Sequence, residues 1–334
     1  MLGLSIVLST LGNHEVLRLV LDGYDRQVVP TGTFEVLVVA DRAEPDLDAV
    51  RRALERRRYP VRLLQGETPG LSANRNAGWR AARAPIVLFT DNDTIPVPGL
   101  VAEHLASHGR SPSAEVAVVG PVRWARGLRV TPFMRWVEYG LQFQYESVRG
   151  EVAGWGHLYG ANSSIKRALL EVVGDFDQDH LPYGYEDMDW AYRAHGQGLQ
   201  VRFNPRAIVE HLRPMTVADW KVRAPRLAVS EWRFCELHPE LEPFFHRLFS
   251  RAAAGPDYGR KAAAIARFVP RRTPWVGRRV WDHAGHHWRR QIAPHFLSAW
   301  EAAARGAPPE LQPAVSALAE RSASSGGSPP GGPK

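Results

Sequence analysis

Two aspartates separated by one residue follow a short apolar run in this chain. Residues 86–89 read Ile-Val-Leu-Phe, which is typical of a strand buried on both faces of a sheet. Thr90 ends the run, and Asp91, Asn92 and Asp93 follow where the strand would leave the sheet. Residues two apart in an extended chain point the same way, so Asp91 and Asp93 can converge on one ligand. Such a pair suits a hard divalent cation and its phosphates, although Asp-x-Asp also occurs in solvated loops.

The elements before this motif alternate between strand and helix patterns. The patterns predict strands over residues 4–8, 34–40 and 61–64, and helices over 15–24, 46–58 and 72–82. This alternation indicates an α/β fold with a parallel, doubly wound sheet and helices on both faces. Ligands in such sheets bind beyond the carboxyl ends of strands, where Ser9, Thr10 and Asp41 also fall. No G-x-G-x-x-G and no Walker-type motif occurs, which argues against a dinucleotide fold and a P-loop enzyme.

Composition limits the partners and the compartment. The net charge of +7 and a pI near 9.8 favour anionic partners: phosphates, nucleic acid or an acidic membrane surface. Cys235 is the single cysteine and cannot form an internal disulfide, which fits a reducing compartment. No apolar run reaches the roughly 18–20 residues of a membrane span, and the N-terminus lacks the pattern of a signal peptide. We therefore expect a cytoplasmic protein.

Residues 215–305 form a predicted helical, basic and Trp-rich extension, and a flexible or disordered tail follows over 306–334. Arginine pairs stand beside Trp275, Trp281 and Trp288 in the extension. This pattern fits a solvated face, peripheral contact with an anionic inner-membrane surface, or nucleic acid. No nucleic-acid motif accompanies the charge, so we expect no nucleic-acid partner. A second aromatic stretch, residues 124–145, suits either core packing or an acceptor groove.

Several stretches occur in a characteristic order: LSIVLSTLGN, FEVLVVAD, GLSANRNAGWRAARAPIVLFTDND, and a later block with GANSSIK, GDFD, GYEDMDW and IVEHLRP. In this order they resemble the inverting, nucleotide-sugar-dependent glycosyltransferases of family 2, which have a GT-A fold. The later block also resembles the galactosyltransferase C-terminal module. The resemblance covers about residues 2–214, divided near residue 120 into a nucleotide-sugar half and an acceptor half. The chain departs from the family where the second strand usually ends in two acidic residues, because Ala40 replaces the first.

The resemblance implies a role for each matching residue. The donor-binding positions are Ser9, Thr10, Asp41, Arg75 and Asp91. Among them, Asp41 would meet the nucleobase, Arg75 the base or diphosphate, and Asp91 the ribose. The implied metal ligands are Asp93 and His211, and the metal would be Mn²⁺ or Mg²⁺.

The acceptor half supplies the other implied roles. Asp187 matches the catalytic base, with Glu186 adjacent, and weaker acceptor matches fall on Trp155, Gly160 and Asn162. Asp187 would stand at a helix start, where the dipole is expected to lower its pKa and keep it ionised. One carboxylate base is sufficient for direct displacement with inversion.

We therefore expect a metal-dependent inverting glycosyltransferase that moves a sugar from a nucleotide diphosphate, with UDP-sugars favoured, to an acceptor hydroxyl. The acceptor would be a glycan, a lipid-linked glycan or a small molecule. One alternative is a sugar-phosphate nucleotidyltransferase, which should carry a Gly-rich basic loop after its first strand, whereas residues 9–13 hold one glycine and no Lys or Arg. The other is a non-catalytic nucleotide-sugar-binding scaffold, which the presence of both Asp93 and Asp187 disfavours.

Overall fold

Eleven strands and eleven helices lie within residues 2–181 and 184–307, which are the residues that this computed structural model describes. The strands are β1 (Leu4–Thr10), β2 (Phe34–Ala40), β3 (Val61–Gln65), β4 (Ile86–Asp91), β5 (Thr94–Pro96), β6 (Val116–Val119), β7 (Val122–Trp124), β8 (Val152–Ala153), β9 (Asn162–Lys166), β10 (Gln200–Phe203) and β11 (Val209–His211). The helices are α1 (His14–Asp25), α2 (Leu47–Leu54), α3 (Leu71–Ala81), α4 (Leu100–Arg110), α5 (Pro132–Gly140), α6 (Arg167–Val173), α7 (Glu186–Gly196), α8 (Val217–Leu237), α9 (Phe244–Ala253), α10 (Arg260–Ile265) and α11 (Gly277–Ala304).

The main sheet has eight strands in the order β3-β2-β1-β4-β9-β6-β10-β8. Strands β1 to β4 pair in parallel, and β6 pairs in parallel with β10. Strand β9 is antiparallel to both of its neighbours, and β8 is antiparallel to β10. The prediction of a mostly parallel sheet flanked by helices is confirmed.

Both faces of the central strands are buried, as their apolar runs predict. In β1, Leu4, Ile6 and Leu8 pack into one apolar cluster. Val7, from the alternate position, packs with Phe89 in the cluster on the opposite face. Because successive side chains of a strand point to opposite faces, one apolar run fills two layers of the core.

The reversed direction of β9 determines what reaches the carboxyl edge of the sheet. Asn162 lies opposite Thr90, and Lys166 lies opposite Ile86. The chain therefore enters β9 at the edge where β4 ends. This brings residues 159–161 next to the Asp-x-Asp motif, although they follow it by some seventy positions in the sequence.

A second sheet of three strands, in the order β5-β11-β7, lies beyond the motif. Strand β5 begins at Thr94, directly after Asp93. Thr94 pairs with His211 of β11 across the antiparallel ladder. The backbone N–H of Leu212 donates to the carbonyl of Asp93 at 2.8 Å. Main-chain pairing thus places His211 beside the motif.

The C-terminal helices share an apolar core with α5. Trp136 of α5 lies 5.3 Å from Trp288 of α11 between ring centroids, and the same cluster contains Trp220 of α8. Among residues 124–145, Phe133 and Trp136 are therefore core residues, which matches the packing interpretation of this stretch.

No helix among residues 2–181 and 184–307 combines the length and apolar character that crossing a bilayer requires. Burial raises the pKa of Cys235 to about 11, so its thiol is protonated at neutral pH. The predicted tail falls outside the described residues from 308 onward.

Gly78 marks the tight contact between α3 and the sheet. A Cβ atom at this position would overlap the side chain of Val7, whereas a Cβ at Gly109, in helix α4, would meet no atom within 4 Å. We expect Gly78→Ala to lower the free energy of unfolding by about 1–3 kcal/mol through overpacking. Gly109→Ala is the matched control and should leave stability unchanged or raise it by up to about 1 kcal/mol. Urea denaturation measures both, and equal effects at the two glycines would contradict the packing described.

Candidate functional site

A cavity of about 1050 Å³ opens beyond the carboxyl ends of β1, β2 and β4. Ten of the twelve predicted site residues line it: Ser9, Thr10, Asp41, Arg75, Asp91, Asp93, Trp155, Glu186, Asp187 and His211. These residues come from strand ends, from α3, from the start of α7 and from the second sheet. The fold therefore brings the predicted donor, metal and catalytic positions to one cavity.

The turn that carries the two aspartates is held by hydrogen bonds on both sides. The hydroxyl of Thr94 donates to the carbonyl of Asp91 at 2.9 Å. The side-chain amide of Asn92 donates to the hydroxyl of Thr10 at 3.1 Å, which ties the turn to the end of β1. Because the intervening Asn92 faces β1, the carboxylates of Asp91 and Asp93 remain available to the cavity.

Asp93 and His211 form the pair best suited to a cation. Oδ2 of Asp93 lies 3.5 Å from Nε2 of His211. Nδ1 of the same ring lies 3.0 Å from the carbonyl oxygen of Arg213, and Trp124 packs edge-on at 5.5 Å. The backbone N–H of Arg213 also lies 3.2 Å from Nδ1, so this nitrogen can either donate to the carbonyl or accept from the amide. In the tautomer that carries the proton on Nδ1, Nε2 keeps a lone pair directed toward Asp93, which is the usual arrangement of a metal-binding histidine.

The described part of the chain contains no group of three or more His, Cys, Asp or Glu that could hold a metal ion without other ligands. One carboxylate and one imidazole fit a divalent cation that takes its other ligands from a bound diphosphate and water. The imidazole favours Mn²⁺ over Mg²⁺. The residues present therefore fit the predicted cofactor in the presence of a nucleotide diphosphate.

A buried guanidinium links the motif to α7. Nη1 of Arg75 lies 2.7 Å from Oε1 of Glu186, and Nη2 lies 3.9 Å from Oδ1 of Asp91. The side chains of Arg75 and Glu186 are only 5% and 4% exposed. Gly160 packs so closely on the guanidinium that a Cβ there would overlap it. Arg75 thus organises carboxylates from two elements, a contact that the sequence does not indicate.

The two neighbouring carboxylates of α7 differ in their exposure and in the donors that they bind. Glu186 accepts from Arg75 through one oxygen and from the backbone N–H of Gly184 through the other, at 2.7 Å each. Asp187 accepts the backbone N–H of Gly160 at 3.0 Å through Oδ2 and remains partly exposed to the cavity. Asp187 therefore faces the cavity and can accept a further proton or hydrogen bond there, whereas both oxygens of Glu186 bind donors inside the protein.

The expectation that the helix dipole lowers the pKa of Asp187 is wrong. Burial, followed by the neighbouring charge of Glu186, raises the pKa of Asp187 to about 7, although Arg75 opposes the shift. Loss of hydration acts on the whole carboxylate, and it outweighs the dipole of one helix turn. The carboxyl thus titrates near neutral pH, where an acid and a base are equally accessible.

Asp41 is held more tightly by the protein than its predicted nucleobase role suggests. Its Oδ1 accepts the backbone N–H of Ala43 at 2.9 Å. Its Oδ2 accepts from the backbone of Gly70 at 2.8 Å and from the amide of Asn74 at 3.0 Å. These bonds fix the start of α3, the helix that carries Arg75.

Two of the three predicted acceptor residues do not line the cavity. The amide of Asn162 is buried, with Oδ1 3.0 Å from Nε2 of His104 and Nδ2 donating to the carbonyl of Ala207 at 2.8 Å. The prediction that this side chain contacts the acceptor is therefore wrong, because its polar atoms bind groups inside the protein. Gly160 contributes its N–H to Asp187 instead of meeting an acceptor. Trp155 does line the cavity.

The sequence patterns do not identify the wall that the C-terminal helices provide. Trp220 and Leu227 of α8 line the cavity, as does the segment before α9. The loop after α5 also contributes, and two of its residues, Phe143 and Gln144, have positive φ angles of 65° and 42°. The sequence signal in these segments is the mixture of aromatic residues and arginines. This mixture does not distinguish residues of the cavity wall from residues of the core.

Known proteins share this architecture. The family model described as "Glycosyltransferase like family 2" matches residues 3–227, about two thirds of the chain, and reaches into α8. The chain belongs to this family. The predicted resemblance is thereby confirmed, and family membership favours glycosyl transfer over the nucleotidyltransferase alternative.

Among curated relatives, a "Validoxylamine A glucosyltransferase" of Streptomyces hygroscopicus subsp. limoneus is 26% identical, covering 72% of this chain and 58% of its own length. The "Uncharacterized glycosyltransferase YfnE" of Bacillus subtilis (strain 168) is 23% identical, covering 43% of this chain and 48% of its own length. The chain thus spans about half to three fifths of these relatives.

Solved structures confirm the GT-A fold. S. aureus TarS 1-349 in complex with UDP-GlcNAc superposes with a TM-score of 0.53 at 16% identity, covering 91% of this chain and 92% of that one. The mannosyltransferase PcManGT from Pyrobaculum calidifontis, in complex with GDP-Man and Mn²⁺, superposes with a TM-score of 0.51 at 20% identity. This match covers 96% of this chain and 79% of that one. Coverage above nine tenths includes the C-terminal helical region, so this region is part of the shared architecture.

The buried position of Arg75 predicts that its loss is costly. Arg75→Met would leave Glu186 buried without its partner, and we expect the free energy of unfolding to fall by about 3–5 kcal/mol. Arg80→Met on the same helix is the matched control. Arg80 is exposed and pairs with Asp175 at the surface, so its replacement should cost less than about 1 kcal/mol. Chemical denaturation at pH 7 compares the two, and similar losses would contradict the central position of Arg75.

Proposed function

We propose that this protein is a metal-dependent, inverting glycosyltransferase that transfers a sugar from a nucleotide diphosphate to an acceptor hydroxyl. The observation that carries the proposal is the opening of the Asp93–His211 pair and of Asp187 into one cavity. Asp93 and His211 offer one carboxylate and one imidazole as ligands for a cation that is bound to a diphosphate. Asp187 is a carboxylate that can accept a further hydrogen bond. Family membership supports the reaction class.

The donor would lie along the carboxyl ends of β1, β2 and β4. Ser9, Thr10 and Asp41 would contact the nucleoside and Asp91 the ribose, and all four residues line the cavity. Structural neighbours were solved with UDP, with UDP-GlcNAc and with GDP-Man, so a nucleotide-sugar donor is supported in general terms. We propose a UDP-sugar in preference to a GDP-sugar.

Asp93 and His211 would hold Mn²⁺ or Mg²⁺. The bound cation would offset the charge that accumulates on the departing diphosphate. Arg75 stays within the protein, where its positive charge fixes Glu186 and lies close to Asp91. We infer that Arg75 acts on the donor through these carboxylates and not by direct contact with the phosphates.

Asp187 would act as the general base. As the acceptor oxygen bonds to the anomeric carbon, the hydroxyl proton passes to the Asp187 carboxylate and the bond to the diphosphate oxygen breaks. The N–H of Gly160 orients the carboxylate, and its partly exposed side toward the cavity would receive the proton. A single displacement inverts the anomeric centre and needs no nucleophilic carboxylate, and Glu186 is buried in its ion pair with Arg75.

The acceptor would enter between the sugar and the wall formed by Trp155 and α8. Aromatic side chains in such a wall suit the apolar faces of sugar rings and cyclitols. We propose a hydroxyl-bearing glycan, a lipid-linked glycan or a small polyol as acceptor. One relative carries the name validoxylamine A glucosyltransferase, which supports the small-molecule class among these three.

The metal role predicts cation-dependent donor binding. UDP, GDP and dTDP would each be added with and without Mn²⁺, and we expect the largest rise in melting temperature for UDP with Mn²⁺. Asp93→Asn should remove the Mn²⁺-dependent part of the shift, because it loses a charged ligand. Asp48→Asn on the exposed face of α2 is the matched control and should behave as the wild type. A Mn²⁺ effect that persists in Asp93→Asn would move the metal elsewhere.

The base role predicts a defined pH profile. With a pKa of about 7, the fraction of Asp187 that is deprotonated falls as the pH drops, so kcat/KM should decrease about tenfold per pH unit below 7. Asp187→Asn should retain nucleotide binding, lose on the order of 10²–10⁴ in turnover, and lack this acidic limb.

Asp189→Asn provides the control for disturbance of the helix. Asp189 lies two residues further along α7, pairs with Arg193 and His238, and does not line the cavity. This variant should keep the acidic limb of the profile. Near-normal turnover in Asp187→Asn would place the base on another residue.

A further inference from the structure

Residues 260–279 form the most one-sided charge cluster of the chain. This stretch contains seven Lys and Arg residues and no Asp or Glu. Six of the seven cationic residues are exposed: Arg260, Lys261, Arg267, Arg272, Arg278 and Arg279. The seventh, Arg271, lies over the ring of Tyr139 at 3.9 Å and pairs with Glu146 of the neighbouring segment.

Large apolar side chains are exposed within the same stretch. Trp275 is 93% exposed and Phe268 is 70% exposed, and Val276 and Ile265 are 52% and 45% exposed. The guanidinium of Arg267 lies 4.4 Å from the ring centroid of Phe268. We call residues 265–279 the basic-aromatic loop. It combines exposed apolar side chains with exposed cations.

Hydrogen bonds and close packing hold the backbone of this loop in a conformation that exposes these side chains. The indole N–H of Trp281 donates to the carbonyl of Val269 at 2.7 Å, and the N–H of Thr273 donates to the carbonyl of Pro270 at 2.9 Å. Gly277 packs on the carbonyls of this turn so closely that no side chain would fit. Anchored in this way, the loop directs Trp275 outward with a positive φ of 64°, an unfavourable conformation for tryptophan.

We propose that the basic-aromatic loop is a docking surface for an anionic lipid bilayer. Aromatic and aliphatic side chains at a loop tip can enter the headgroup region, while arginines beside them pair with lipid phosphates. Charge complementarity identifies the membrane as anionic. This inference is independent of the sugar-transfer chemistry proposed above.

The composition of the loop favours a bilayer over a nucleic acid. Nucleic-acid surfaces also combine arginine with aromatic rings, which stack on bases. Ile265 and Val276 cannot stack, yet they are exposed in the same loop as Phe268 and Trp275. Exposed aliphatic side chains gain free energy when they enter hydrocarbon, and single-stranded nucleic acid offers no such phase.

Co-sedimentation of the full chain with vesicles tests the proposal. We expect binding to vesicles of phosphatidylglycerol mixed with phosphatidylcholine, weak or no binding to phosphatidylcholine alone, and loss of binding at high salt. The double variant Arg278→Gln, Arg279→Gln should lower the partition coefficient by roughly 25-fold, about fivefold for each charge. The variant Phe268→Ala, Trp275→Ala should lower it about tenfold or more, with no change in net charge.

Matched variants separate the loop from general charge. Arg51→Gln, Arg52→Gln on the exposed face of α2 removes the same charge and should leave partitioning within about twofold. Val28→Ala removes an exposed apolar side chain elsewhere and should have no effect. No binding to anionic vesicles overturns the proposal. Equal losses in both arginine pairs, or an unchanged partition coefficient in Phe268→Ala, Trp275→Ala, would indicate attraction to any polyanion and also overturn it.

Binding of a fluorescent oligonucleotide tests whether the partner is a nucleic acid instead of a bilayer. Tighter binding to RNA than to anionic vesicles, weakened by the same loop variants, would reassign the surface. Thermal shifts with UDP and Mn²⁺ should be identical in all loop variants. Failure of membrane binding is thereby distinguished from failure of the proposed sugar transfer.

Discussion

The site depends on the buried charge of Arg75. A guanidinium removed from water is stable only when carboxylates satisfy it, and here they come from two distant segments, α7 through Glu186 and β4 through Asp91. This requirement fixes how closely the two halves of the cavity approach. Gly160 meets the same constraint from a third side, because only a residue without a side chain can pass so close to the guanidinium. Its N–H then orients Asp187. One ion pair therefore connects the donor edge, the acceptor half and the proposed base.

Environment assigns different roles to carboxylates that look alike in the sequence. Asp41 accepts three hydrogen bonds from the chain and stabilises the start of α3. Glu186 accepts from Arg75 and from Gly184, so both of its oxygens are engaged. Burial and the neighbouring charge of Glu186 raise the pKa of Asp187 to about 7. The same chemical group therefore stabilises a helix start at Asp41, balances the charge of Arg75 at Glu186, and can exchange a proton near neutral pH at Asp187. Burial and hydrogen bonding determine which of these roles each carboxyl has.

The C-terminal helices are structurally coupled to the site. Glu231 of α8 is buried and accepts the hydroxyl of Tyr185 at 2.6 Å, together with the backbone N–H groups of Phe245 and His246. Tyr185 directly precedes Glu186, so the helical region holds the start of α7 in place. Helices α8 and α9 also contribute to the cavity wall. The basic-aromatic loop, which joins α10 to α11, would therefore belong to the same packed unit as the proposed acceptor side.

The sequence by itself determined the elements and the centre of the site. Apolar runs identify β1, β2 and β4, since a strand buried on both faces must be apolar throughout, and polar residues at their ends mark the edge where ligands bind. Motif order identifies the family. Tertiary structure decided the rest: the reversed direction of β9, the engagement of Glu186 by Arg75 across 111 residues, the interior position of Asn162 and the raised pKa of Asp187. Local periodicity records which side chains are buried. It does not record which distant group faces them, and that partner sets the charge, the hydrogen bonding and hence the chemistry of each residue.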